Sequence, residues 1–468
     1  MSADGRWQPY PAYKDSGVDW LGEIPRHWEM KRLKYAAAMN SDVLSESTDP
    51  DHVLQYLDIS NVDSTGSILD IQEMRFENAP SRARRQVQDG DTIISTVRTY
   101  LRAIAHIDRP PDNLIVSTGF AVLRPTPELE PKYLWRLVQS SRFVDAVVAH
   151  SVGVGYPAIA PTRLADLSVW VPPLEEQRAI ATFLDCETAK IDALVAKQER
   201  LIALLQEKRA ALISHAVTKG LDPDVEVKDS GIPWLGEIPG HWEVRRLKFA
   251  ANVQSGVAKG RDLEGRKIIN PPYLRVANVQ NGYVDLSDVA TIAIAEDEID
   301  RYSLKAGDVL MTEGGDFDKL GRGTVWEAQI EPCVHQNHIF AIRPYCGVSS
   351  YWISTITQTD YARHYFILRS KQSTNLASIS STNLMELPVV LPPDSEQEAI
   401  LIHLGHETAK LDALIAKAQE MIERLQEYRT ALISAAVTGK IDVRCNALPK
   451  CVAPAPSLIG EHHARQKT

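Results

Sequence analysis

Cysteine is scarce. The 468 residues hold five, at Cys186, Cys333, Cys346, Cys445 and Cys451, scattered, odd in number and never in a C-x-x-C pair. That distribution argues against a disulfide framework or a structural zinc site and for a reducing cytosol. Long apolar runs are missing as well, none approaching the ~18 residues of a membrane span. The opening MSADGRWQPYPAYKD lacks the basic-then-apolar layout of a signal peptide. A cytoplasmic protein away from membranes is therefore expected. There is no surplus of basic charge: 51 Lys and Arg stand against 61 Asp and Glu, a net −10. A protein that coats nucleic acid by charge alone is excluded. No phosphate-binding glycine loop and no nucleophilic triad can be assembled. What remains, 44% hydrophobic and 24% charged, is the composition of a soluble globular chain, long enough for two to four domains.

The chain repeats itself. KDSGVDWLGEIPRHWEMKRLKYAA from Lys14 matches KDSGIPWLGEIPGHWEVRRLKFAA from Lys228 at 18 of 24 positions. PPLEEQRAIATFLDCETAKIDALVAK from Pro172 is echoed by PPDSEQEAILIHLGHETAKLDALIAK from Pro392, and ALIS-x-AVT closes both stretches. Between these blocks the halves diverge, leaving short echoes: YLDISNV against YLRVANV, DGD against AGD, FAVLRP against FAIRP. Two copies of over 200 residues exceed the 20–50-residue period of solenoids; duplication followed by divergence of each middle explains the pattern.

After each Pro-Pro pair the apolar residues fall into heptads, the signature of a long helix in a coiled coil. In the first copy Leu184, Ile191, Leu205 and Leu212 share one row, with Gln198 as a polar interruption, and Leu194 and Leu201 are assigned to the other. In the second copy Leu404, Leu411, Ala418, Leu425 and Leu432 form one row and Leu414, Met421 and Tyr428 the other. About 44 helical residues span roughly 66 Å. Two such helices in one chain can pair, and a pseudo-two-fold relation between the copies would make them antiparallel. The duplicated Trp20, Trp28, Trp234 and Trp242 read as a small core or a docking surface rather than as base-stacking platforms.

The diverged middles, 38–171 and 252–391, are rich in short β-runs followed by short helices, an α+β pattern with a partly antiparallel sheet. Residues of the kind that read base edges and clamp phosphates gather at a few places. In the first middle these are Arg82, Arg84 and Arg85, then Arg98, Tyr100 and Arg102, with Ser151 and Tyr156 in a polar loop. In the second they are Lys319 and Arg322, then Arg369, Lys371, Gln372 and Asn375. Each alone reads more readily as an ordinary solvated loop, and both middles carry a mild acidic surplus.

Several motifs suggest catalysis without supporting it. Asn270-Pro271-Pro272-Tyr273 spells NPPY, the tetrapeptide with which amino-methylating DNA methyltransferases hold a flipped base, but no F-x-G-x-G accompanies it. His335 and His338 would alternate across a strand. His403 and His406 fit a surface pair, and Asp316 and Asp318 lack the partners of a magnesium-binding carboxylate site. No catalytic residue and no metal ligand is assigned.

Taken together, the doubled DSGxxWLGEIPxHWExxRLK, PPxxEQxAI, ETAKxDALxAK and ALISxAVT blocks, with EGGDFDKLGRG and NHIFAIRP in the second middle, resemble the specificity subunits of Type I restriction–modification systems from about Asp15 to Asp442. The resemblance implies two target recognition domains, 1–171 and 221–391, and two long helices, 172–220 and 392–440, pairing as an antiparallel coiled coil. Residues 441–468 read as a disordered tail outside the pattern. Each recognition domain would read one half of an asymmetric bipartite target in double-stranded DNA. Two methyltransferase subunits would dock through Trp20, Trp28, Trp234, Trp242, Gln177 and Gln397, and an ATP-dependent restriction and translocation subunit would join them. S-adenosylmethionine, ATP and Mg2+ would belong to those partners, with no cofactor in this chain. The alternatives are an autonomous adenine methyltransferase, resting on NPPY, and a coiled-coil adaptor that does not touch DNA.

Overall fold

The computed structural model describes residues 7–153, 155–315, 320–372 and 377–444. They fold into two compact units, one from the described residues of 7–199 with 420–444 and one from those of 200–419. Each unit is α+β and the two share a plan.

In the first unit, strand Phe120–Pro125 lies between Ala37–Met39 and Thr92–Ser95, and Ile104–His106 completes an antiparallel four-stranded sheet. A second sheet runs in the order Gln72–Arg75, Val53–Leu57, Leu114–Ser117, Ala83–Gln86, with Val53–Leu57 and Leu114–Ser117 parallel. Leu57, Ile93, Val116, Phe120 and Val122 fill the core these sheets share. Pro131 sets the first turn of helix Pro131–Gln139, where its missing N–H costs nothing. Ser140 then caps helix Ser141–Ala149 by accepting a hydrogen bond from the Phe143 amide.

The second unit repeats the antiparallel sheet with Ala251–Ser255, Ile339–Pro344, Val309–Thr312 and Gly323–Val325. Its parallel pair is Pro272–Leu274 with Val334–His335. Helices Ser350–Thr357 and Asp360–Arg369 follow. The short echoes in the sequence now acquire a cause. Asp91 of DGD accepts two hydrogen bonds from the Arg124 guanidinium at 2.9 Å, and Asp308 of AGD accepts two from Arg343 at 2.7 and 2.6 Å. Both carboxylates are fully buried. A buried charge persists only when paired and hydrogen-bonded, so each turn aspartate demands its strand arginine.

The long helices run Leu174–Lys219 and Asp394–Val437. At 1.5 Å per residue, the 46 residues of the first measure about 69 Å. Their pairing can be followed within each unit. In the first, Leu184 and Ile191 join Leu432, Ala436 and Val437 in one core, and Arg429 bonds Asp192 at 2.9 Å. In the second, Ile213, Ala216 and Val217 meet Ile400 and Leu404, and Arg209 bonds Asp412 at 3.0 Å. In both units rising numbers on one helix meet falling numbers on the other, an antiparallel pair. The row from Leu184 and the row from Leu404 face the seam as expected. The second rows do not. Leu194, Leu201, Leu414, Met421 and Tyr428 are 43–49% exposed, and the seam instead takes Val195, Ile202, Ile415 and Ile422, which are half-buried. A seven-residue repeat admits a partner row three or four residues on, and here it is four.

Against the expectation from scattered cysteines, Cys186 is disulfide-bonded; Cys333 and Cys346 are free. The tail assigned to 441–468 lies, beyond Arg444, outside the described residues. No helix among those described is long and apolar enough to cross a membrane.

Candidate DNA interface and docking surfaces

Tight turns set the candidate DNA-facing groups of the first unit. Arg98 and Arg102 take left-handed backbone conformations, φ 49° and 57°, which non-glycine residues adopt at a cost when surrounding structure demands it. The demand is visible around Arg98. Its amide bonds the Pro157 carbonyl at 2.8 Å, and Val97 bridges Ala158. The Thr99 and Ser151 hydroxyls meet at 3.0 Å. These contacts tie the turn to the polar loop at 151–158. The Arg98 guanidinium lies over the Tyr156 ring at 4.5 Å, a cation–π pair. It has no hydrogen bond or ion pair among the described residues. Tyr156 is 69% and Tyr100 53% exposed. The result is a platform of free donors and aromatic faces, suited to phosphates and base edges.

The other arginines differ in freedom. Arg82 is exposed but bonds the Tyr56 hydroxyl at 3.1 Å and Asp58 at 2.8 Å, and those acceptors hold its charge on firmly. Arg84 stacks on Phe76. Arg85 spends its Nε on the Phe120 carbonyl, and burial lowers its pKa. Arg102 turns into a small cleft with Gln139 and Arg429. Ser151 is occupied internally, donating to the Val147 carbonyl at 2.8 Å, and so serves as a tie.

In the second unit Arg369 and Lys371 are exposed and unpaired among the described residues. Gln372 sits on the two-residue strand Lys371–Gln372 that pairs with Ala377–Ser378. Lys319 and Asn375 lie outside the described residues, as do Asp316 and Asp318. Arg322 faces a cleft of about 680 Å³ lined also by Arg209, Arg363 and Asp412, so it is directed toward the helices.

Four of the six residues assigned to partner docking are consumed inside their own unit, which corrects that assignment. Gln177, 1% exposed, accepts from the Glu130 amide and donates to the carbonyls of Glu128 and Pro172. Gln397 accepts from the Ser349 amide and donates to Pro392. Each glutamine thus fastens the start of a short helix, Pro131–Gln139 or Ser350–Thr357, to a long helix. Trp28 and Trp242 are fully buried, and each donates its indole N–H to a glutamate on the long helix, Glu176 or Glu396. His27 and His241 complete the same glutamates at 2.7 and 2.6 Å. In the first unit Tyr10 adds a 2.6 Å bond to Glu176, and burial together with that carboxylate drives the phenol far above its ordinary pKa. Trp20 is half-buried, edge-on to Trp170, and only Trp234, 38% exposed, keeps a free face.

The catalytic look-alikes dissolve. Tyr273 of NPPY is fully buried and donates to the Val257 carbonyl, so it has no face for a flipped base. His335 is buried while His338 is exposed and paired with Glu313 at 2.6 Å. No cluster of three metal-binding side chains occurs among the described residues.

Comparison with known proteins agrees with this arrangement. Residues 79–202 match the family model described as the Type I restriction modification DNA specificity domain. The EcoKI specificity subunit of Escherichia coli K12 is 23% identical over 331 residues, covering 70% of this chain and 69% of that one. The putative MjaX specificity subunit of Methanocaldococcus jannaschii is 25% identical over 449 residues, covering 91% and 96%. A chain from a solved structure of a type I restriction–modification assembly superposes with TM-score 0.64 at 24% identity, over 89% of this chain and 99% of the other. With its doubled helix-and-tryptophan blocks around two diverged α+β folds, the chain is similar over most of its length to Type I restriction–modification specificity subunits, and residues 79–202 match their DNA specificity domain.

Proposed function

We propose that this chain supplies sequence specificity to a Type I restriction–modification complex without catalysing its chemistry. Each recognition unit reads one half of a bipartite DNA target. The observation that carries this is the contrast within the repeat: frame blocks 18 of 24 identical hold two folds of one plan whose exposed loops share almost nothing. Arg98, Tyr100 and Tyr156 present one set of groups, Arg369 and Lys371 another. Different readers on like frames imply different half-sites, and therefore an asymmetric target.

The partners are two methyltransferase subunits and an ATP-driven restriction subunit, which bring S-adenosylmethionine, ATP and Mg2+. Their docking surface is the outer flank of the long helices. Leu194, Met421 and Tyr428 in the first unit, and Leu201 and Leu414 in the second, are large apolar side chains left in solvent, as at protein interfaces. Co-expression with the neighbouring methyltransferase gene, followed by single-molecule mapping of methylated adenines, tests the reading. One bipartite motif with unlike halves is expected. Identical halves would refute the asymmetry, and no methylated motif would refute the function.

A further inference from the structure

The glutamate–tryptophan–histidine cluster occurs twice, and its two copies differ in one respect. In the first unit the carboxylate of Glu176, 5% exposed, receives four neighbours: His27, Trp28, Tyr10 and, at 3.8 Å, Arg444. Tyr10 comes from the extended segment Trp7–Tyr13. That segment packs Trp7 edge-on against Phe183 at 4.8 Å and Tyr10 against Trp28 at 5.7 Å. It lies beside Asp442, which follows the second long helix and is joined to Gln8 by an isolated antiparallel bridge. In the second unit the walls are the same residue types: Pro239, His241, Trp242, Glu396, Ala399 and Ile400 stand where Pro25, His27, Trp28, Glu176, Ala179 and Ile180 do. There a single connector, Gly220–Glu226, follows the long helix, where the first unit has two chain segments side by side. Among the described residues no tyrosine bonds Glu396. Its side chain is 40% exposed and borders a groove of about 250 Å³. That volume is below the ~300–1,000 Å³ typical of small-molecule sites and of the scale of a side chain.

We propose that this groove is a peptide-binding site that takes a tyrosine from an extended segment of a partner protein, its phenol donating to Glu396 and its ring packing on Trp242. The chemistry is read from the occupied copy. Tyr10 stands between Pro9 and Pro11, and proline biases the preceding residue to extended backbone, so the segment can lay one ring into a narrow slot. The partner is a different polypeptide because this chain's own Tyr10 is already engaged on Glu176. Donor and acceptor are complementary: Glu396 keeps acceptor capacity beyond the bonds from His241 and Trp242, and Leu221 and Val225 supply an apolar wall.

The test is a fluorescence-anisotropy titration of the full chain with labelled WQPYPAYK, the sequence of residues 7–14. Saturable one-to-one binding is expected, weakened at least tenfold by phenylalanine in place of the first tyrosine of the peptide. Glu396→Gln in the chain should weaken it equally while leaving the circular-dichroism melt in place. Leu221→Arg, at a half-exposed groove residue outside the cluster, should block binding without touching the glutamate. Absence of saturable binding overturns the proposal. So does binding that survives both chain variants, or binding that responds to Glu176→Gln instead, which would mean the peptide merely displaces the chain's own segment.

Discussion

His335 offers a measurement that isolates one buried group. Its side chain is fully buried, neither ring nitrogen has a hydrogen bond of ordinary geometry, and burial lowers its pKa to about 4, with the Gln254 backbone and Asp308 pulling weakly the other way. In the unfolded chain the imidazole titrates near 6.5. Above that value both states are neutral and the residue imposes no proton-linked penalty. Between about 6.5 and 4 the unfolded state binds the extra proton, so stability falls as the pH falls. The gap between the two values corresponds to roughly 3 kcal/mol at its limit, and to about 2 kcal/mol at pH 5. Hydrogen exchange suits a chain of two units, because it reads the opening of one region without assuming two-state unfolding. Protection of the strands Pro272–Leu274 and Val334–His335 should be compared between the parent and His335→Leu, similar in volume, at pH 7.5 and pH 5. The parent's protection relative to the variant should drop about 30-fold on acidification. Parallel behaviour of the two proteins would refute the reasoning.

Other expectations concern stability. Gly405 is exposed within the second long helix, and a Cβ there would meet nothing within 4 Å, so Gly405→Ala should stabilise the second unit by about 0.8–1 kcal/mol, read from denaturant midpoints; no gain would mean the glycine is needed. Asp91→Asn and Asp308→Asn each remove the charge that holds a strand arginine. Each should cost about 2 kcal/mol in its own unit only, as hydrogen exchange would resolve.

The frame was legible because duplication printed it twice: identical blocks reported the helices, the tryptophans and their order. The heptads showed one seam row and misplaced the other, since periodicity sets a repeat but not its phase against a partner that the sequence does not locate. Gln177 and Gln397 drew attention as duplicated polar residues, and duplication does not distinguish a surface used by a partner from a bond used internally. The echoes DGD and FAVLRP were visible, yet their meaning required Asp91 and Arg124, 33 residues apart, to be brought together. The asymmetry at Glu396 was hidden for a different reason. It depends on where the ends of the chain run, and no repeat records that. Among the candidate DNA-facing residues, composition found Arg98 and Arg82 alike and could not rank them, because freedom from internal partners is a property of the fold.

That ranking decides how an acidic chain holds DNA. With a net charge of −10, general attraction to phosphates is absent, so each arginine counts by what it has left to give. Arg82 must first release Asp58 and Tyr56, and an exchange of one ion pair for another in water returns little. Arg98 has nothing to release: its turn is pre-set by Pro157 and Ser151, and its guanidinium rests on Tyr156. Arg98→Ala should therefore leave the melting temperature nearly unchanged and weaken binding of the cognate duplex, in complex with the methyltransferase, by about 1–3 kcal/mol. Arg82→Ala should change affinity less. Gel shifts across a salt series separate the contributions, since a lost phosphate contact lowers the salt slope by about 1 whereas a lost base contact leaves it unaltered. Equal losses for the two variants, or a larger loss for Arg82→Ala, would show that internal pairing does not govern which arginines meet the DNA.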